Sequence, residues 1–192
     1  MAPAVLWTAS LALLCLVSDT SGFPGGAPTS SCVAMRPMHD GVRTQTLRAP
    51  YGITASATNG SLSMAFTVRV MGPVYRGLLL QARTPGGATR PMGTWQGLPR
   101  DTRLLQCDGR DASAVTHSNI NEKINQTFTW LPPAGGLTGP IMFIAAVAES
   151  REVYWMDIRS SVLNGGLFIQ SGASLTWLAA AGSLLCASAL RL

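Results

Sequence analysis

Both ends of this chain are strongly apolar, so any fold must be built from what lies between them. Residues 4–17 (AVLWTASLALLCLV) form one run and residues 175–190 (LTWLAAAGSLLCASAL) the other. The first has the length of a signal-peptide core and is short for a bilayer span, which takes about 20 apolar residues. Thr20-Ser21-Gly22 offers small residues for cleavage, so residues 1–22 are predicted to be a signal peptide and the mature chain to start near Phe23. The run lacks a preceding Lys or Arg; a buried core helix is the alternative, opposed by Gly22, Pro24, Gly25 and Gly26 just after it.

The C-terminal run is also short for a span, and only Arg191 and Leu192 follow it. Small residues, a spacer and a terminal apolar tail make up a glycosylphosphatidylinositol signal. Asn164-Gly165-Gly166 supplies the small triplet, with Asn164 the expected attachment residue; Ser171-Gly172-Ala173 is a second triplet that leaves almost no spacer. Residues 161–174 are the spacer segment that contains it and residues 175–192 the tail. A retained single-pass helix and a core helix are the other readings. The expected location is the extracellular face of the plasma membrane, through a lipid anchor, or the medium after secretion.

The formal net charge is +5, and Lys123 is the only lysine, so nearly all the positive charge is arginine. It is spread along the chain, as on an ordinary solvated surface; the functional alternative is attraction to anionic sugars, lipopolysaccharide or a negative membrane. No nucleic-acid-binding motif is present. Of four cysteines, Cys15 lies in the signal peptide and Cys186 in the tail, leaving Cys32 and Cys107. In an oxidising compartment a disulfide is the default. Closing so long a loop restricts the unfolded chain by roughly 4–5 kcal/mol in the entropy model. Free or metal-binding thiols are the alternative, but no C-x-x-C pair exists. Sequons at Asn59 and Asn125 are expected to be solvent-facing glycosylation sites.

Residues 23–31 are rich in Gly, Pro and Ser and read as a flexible leader. Short strands follow. In residues 61–71 (SLSMAFTVRVM), Leu62, Met64, Phe66, Val68 and Val70 alternate with smaller or polar residues, a strand with one face on a core. Asn59-Gly60 signals a hairpin turn that pairs it with residues 52–58. Further strands are predicted over residues 77–84, 102–107, 114–118, 124–130 and 152–160. In residues 124–130, Ile124, Phe128 and Trp130 share one face. Residues 141–148 (IMFIAAVA) are apolar throughout, as in a strand buried on both faces. No helical period appears between residues 23 and 164, which implies an all-β sandwich.

The landmarks CVAMRPMH (32–39), APYGIT (49–54), YRGLLLQAR (75–83), LLQC (104–107), AVTHSN (114–119), FTWLPP (128–133), GPIMFIAAVAE (139–149) and VYW (153–155) resemble those of the reeler domain. That module is found in reelin-type and spondin-type matrix proteins, in ferric-chelate-reductase-like membrane proteins, and alone in small insect defence proteins. The likeness places a reeler domain at residues 32–160. It implies an immunoglobulin-like antiparallel β-sandwich tied by Cys32–Cys107, with no catalysis and no cofactor. Leu78 stands where the family often has an aromatic residue.

The residues themselves give no enzyme signature. There is no G-x-S-x-G turn, phosphate loop or dinucleotide fingerprint. His39 and His117 are the only histidines, and Asp40 beside His39 is the one obvious companion for a metal, so hydrogen bonding is the expected role of both. Trp130 and one of Tyr154 and Trp155 are expected in the core. Trp95, flanked by glycines and set between Arg90 and Arg100, is the best exposed aromatic for stacking on a sugar.

The expected function is a non-enzymatic recognition or adhesion module at the cell surface, engaging extracellular matrix or a glycan. The alternatives are a secreted defence protein that binds microbial surface polymers and, last, an ectodomain remnant of a ferric-chelate-reductase-like protein. Neither a nucleic acid nor a cofactor is an expected partner. Phosphatidylinositol-specific phospholipase C should release the chain from cells that display it, as read by blotting the medium. Retention on treated cells would indicate a membrane helix instead.

Overall fold

The computed structural model describes residues 22–39, 41–59 and 64–164. Residues 1–21, Asp40, residues 60–63 and residues 165–192 lie outside them, and with these the predicted apolar ends and most of the first sequon. Among the described residues no helix is long and apolar enough to cross a membrane.

The strands are β1 (Gly52–Asn59), β2 (Met64–Met71), β3 (Gly77–Arg83), β4 (Thr94–Gln96), β5 (Thr102–Cys107), β6 (Arg110–His117), β7 (Thr127–Leu131), β8 (Met142–Ala148) and β9 (Tyr154–Arg159). They form two antiparallel sheets, ordered β1-β2-β7-β4 and β5-β6-β3-β8-β9, packed face to face.

The alternation in β2 does what its period requires. Phe66, Val68 and Val70 are fully buried, and β7 sets Trp130 opposite Phe66 and Phe128 opposite Val68. From the other sheet, Phe143 meets Trp130 edge-on with centroids 5.4 Å apart and Trp95 at 5.7 Å. Each such pair contributes about 0.5–1.5 kcal/mol beyond the area it buries.

The uniformly apolar β8 is buried on both faces, as its sequence predicts. Phe143, Ala145 and Val147 point into the core between the sheets, with Leu78, Leu80 and Ala82 of β3 beside them. Ile144 and Leu79 point outward into a second cluster with Cys32, Met35, Leu105, Cys107 and Ala114. The outer face of one sheet of a sandwich is ordinarily wet. Here residues 22–39 cover part of it.

The segment expected as a flexible leader is part of this cover. Residues 23–31 carry a single 3-10 turn, Thr29–Ser31, and are hydrogen-bonded to the sheet below. The strand expected from Ile124 starts only at Thr127, because Asn125 has a φ of +48° and Ile124 is 56% exposed. Three-residue β4 has no counterpart among the predicted strands, because Gly93 and Gly97 make its segment read as a loop.

Gly93 is what lets β4 lie against β7. It has a φ of +64°, and a Cβ there would stand 2.3 Å from the Leu131 carbonyl and from the Trp130 ring. The close approach also brings the Met92 carbonyl to accept from Trp130 Nε1 at 3.0 Å. Gly93→Ala is expected to cost about 3 kcal/mol through combined backbone strain and overpacking, read as a lower urea midpoint.

Candidate functional site

Residues 22–39 reach the sheet through one covalent and several polar links. Cys32 is disulfide-bonded to Cys107 at the end of β5, with Cα atoms 5.6 Å apart. On the outward side of β3, Gln81 and Arg83 are buried beneath that bond. Gln81 Nε2 donates to the Cys32 carbonyl at 3.1 Å. Arg83 Nη2 donates to the Cys32 carbonyl at 2.5 Å and the Val33 carbonyl at 3.1 Å, while its Nε donates to Gln81 Oε1 at 2.8 Å. Burial lowers the Arg83 pKa from its ordinary value, and the carbonyl oxygens solvate the cation in place of water.

Nearer the start of the segment, Thr116 Oγ1 accepts from the Ala27 amide at 2.8 Å and donates to the Leu78 carbonyl at 2.8 Å. Arg103 Nε donates to the Gly25 carbonyl at 2.7 Å. His117 Nε2 lies 2.9 Å from the Phe23 carbonyl, and its Nδ1 lies 3.2 Å from the Leu78 amide. A neutral ring protonated at Nε2 satisfies both contacts. Gly26, at a φ of +116°, passes so close that a Cβ there would meet the His117 carbonyl at 2.4 Å.

Between this strap and the sheet lies an apolar groove of about 500 Å³. Its floor is made of short side chains, Gly77 on β3 and Ala146 and Ala148 on β8. Phe23, Pro28 and Met35 contribute to the walls, while Arg36, Arg76 and Arg151 also line the groove. No acidic side chain lines it among the described residues. Arg76 is paired with Glu122 at 2.7 Å. Arg151 Nε is buried without a hydrogen-bond partner among the described residues, as is Ser31 Oγ.

The aromatic site expected around Trp95 does not form. Trp95 is the single inward residue of β4 and is only 2% exposed, packed edge-on against Phe128 and Phe143. Its ring offers no face to a sugar. Arg90 instead pairs with Asp108 at 2.6 Å, and Arg100 is exposed with its carbonyl accepting from Gln126. Trp130 and Tyr154 are fully buried, as expected, while Trp155 is partly buried against Tyr51.

His39 and His117 both line the groove. His39 Nδ1 lies 2.7 Å from the Arg151 carbonyl, so both rings meet backbone carbonyls. Asp40 lies outside the described residues, among which no group of three metal-ligating side chains occurs. Asn125 is exposed, so its sequon is open to modification; Asn59 ends β1. Asn164 is exposed directly after Leu163, whose backbone bridges to Ile141. The groove escaped sequence reasoning because its arginines come from three distant segments and its floor is marked only by small residues.

A family model described as the Reeler domain matches residues 30–167. "Putative defense protein 3" of Antheraea mylitta is 32% identical over 155 residues, spanning 79% of this chain and 91% of that protein. "Putative ferric-chelate reductase 1" of Danio rerio is 30% identical over 148 residues, spanning 74% of this chain but 26% of that protein. The crystal structure of the human F-spondin reeler domain matches with a TM-score of 0.50 at 18% identity, over 71% of this chain and 99% of that one. At that identity the likeness is one of fold.

Burial pushes the His117 pKa below its ordinary value of 6.5, against the raising effect of the Phe23 and Leu78 carbonyls. The unfolded chain therefore binds this proton more tightly. Its contribution to stability is complete above about pH 6.5 and is lost as pH falls from there toward the lowered folded value. Amide exchange over residues 23–27 should speed up between pH 7.5 and pH 5 relative to the intrinsic rate. His117→Gln should flatten that dependence.

Proposed function

The chain belongs to the reeler domain family, and on that footing we propose that it is a non-enzymatic extracellular recognition domain that binds anionic polymers of microbial surfaces. The observation that carries this reading is the set of arginines lining the groove. Arg36, Arg76 and Arg151 gather in one place, and among the described residues Glu122 is the one carboxylate paired with any of them. Clefts lined by one sign of charge concentrate ligands of the other sign. The defence reading is supported by an alignment that spans nearly the whole of a relative named as a defence protein. The segment shared with the ferric-chelate reductase is about a quarter of that protein, so it argues for a common domain rather than a common activity.

A lipid tether is compatible with the same role. Asn164 is exposed at the end of the described chain, beyond the last backbone bridge, where an anchor would leave both sheets free. A tethered domain of this kind would act in recognition or adhesion at the cell surface, with the groove as the contact.

The purified secreted protein should bind immobilised lipopolysaccharide or lipoteichoic acid at 50 mM salt and lose severalfold in affinity at 300 mM, as screening shortens the reach of the arginines. Biolayer interferometry on wild type and on Arg36→Gln/Arg151→Gln reads both effects. Lack of binding to either polymer at low salt would sink the proposal.

A further inference from the structure

We infer that the groove beneath residues 22–39 is a site for the acyl chain of an anionic lipid, with Arg36 and Arg151 meeting the charged head. This rests on the recognition reading above and names the ligand class of that same groove.

The space is built into the sequence of the floor. Gly77 pairs with Ala148 and Leu79 with Ala146 across β3 and β8. Farther along the same face, Leu79 and Ile144 fill the gap to the strap by packing with Met35 and Cys32. At Gly77, Ala146 and Ala148 the side chains stop short, and about 500 Å³ stays open. Protein interiors otherwise pack as densely as organic crystals. That volume falls within the roughly 300–1,000 Å³ typical of small-ligand sites.

The walls select the ligand. Pro24, Pro28 and Pro37 have no amide to donate, and the remaining wall is mostly hydrocarbon, which suits methylenes and leaves sugar hydroxyls unsatisfied. Among the described residues two polar atoms stand unpartnered beside this apolar space, Ser31 Oγ and Arg151 Nε. Arg76 already has Glu122 as its partner, whereas Arg36 is exposed and Arg151 keeps an unmet donor. An apolar channel with guanidinium groups that no described carboxylate pairs complements a hydrocarbon chain that ends in an anion.

The probes are straight-chain carboxylates from octanoate to tetradecanoate, below their micelle concentrations, titrated calorimetrically into the secreted protein. Binding should saturate at one chain per protein. Affinity should rise roughly fourfold per added methylene until the groove is full, then level off. Dodecyltrimethylammonium, with the same chain length as dodecanoate but the opposite charge, should bind at least tenfold more weakly than dodecanoate. Ala148→Phe, at a partly exposed position on the floor, should weaken dodecanoate at least tenfold. Arg151→Gln should weaken dodecanoate roughly tenfold but leave dodecanol unchanged.

Absence of saturable binding at every chain length overturns the inference, and so does equal affinity for the cationic and anionic probes. Chain-length and charge dependence are read on the wild type and do not rely on Ala148→Phe folding. If lipopolysaccharide binds but no carboxylate does, the recognition reading stands and the acyl site falls. If the carboxylates bind as expected and microbial polymers do not, the acyl site stands alone.

Discussion

Arg83 holds this domain's two outermost features together. Its guanidinium and the Gln81 amide occupy the outward face of β3 and donate to the carbonyls of Cys32 and Val33. Those carbonyls belong to the segment that Cys32 ties to Cys107. With the strap held there, a second apolar cluster closes over the five-stranded sheet and β3 and β8 become buried on both faces. The groove exists only because that strap lies across the sheet. Loss of the hydrogen bonds would leave a buried cation unsolvated, a large cost even if the disulfide remained.

Lys123 uses the same chemistry at another corner. Its ammonium is buried and donates to the carbonyls of Arg76, Asn119 and Asn121 at 3.0, 2.9 and 2.7 Å. Burial lowers its pKa, with Asp101 acting in the opposite direction. Asp101 also accepts from the side-chain amides of Asn119 and Asn121, which shapes the loop around the ammonium. Two buried cations thus organise irregular backbone through carbonyl oxygens. Carbonyls suit this task because loops leave them without ladder partners, and a cation meets several at once.

How much of the architecture is legible before folding depends on how far apart the determining residues lie. The alternation through Phe66, Val68 and Val70 and the unbroken apolar run of β8 are local periodicities, and both describe the observed strands. The early start expected for β7 fails because one left-handed residue, Asn125, interrupts an alternation that otherwise looks continuous. Trp95 misleads for a related reason. Its flanking glycines mark turns correctly, but a three-residue strand between two turns is long enough to bury one ring. The Gly- and Pro-rich composition of residues 23–31 describes a segment with little regular structure, a single 3-10 turn. It carries no information about whether other parts of the chain will hold that segment.

By itself, then, the sequence determined the all-β class, the covered face implied by β8, the pairing available to Cys32 and Cys107, and the family landmarks. Each of these is written in short-range spacing or in residue identity. Tertiary structure alone decided that Trp95 is core, that the leader is a strap, and that Arg36, Arg76 and Arg151 line one groove. Those outcomes depend on contacts between segments separated by most of the domain, such as Phe23 with His117 and His39 with Arg151. No local pattern encodes them, because such contacts form only when the two sheets and the disulfide bring the segments together.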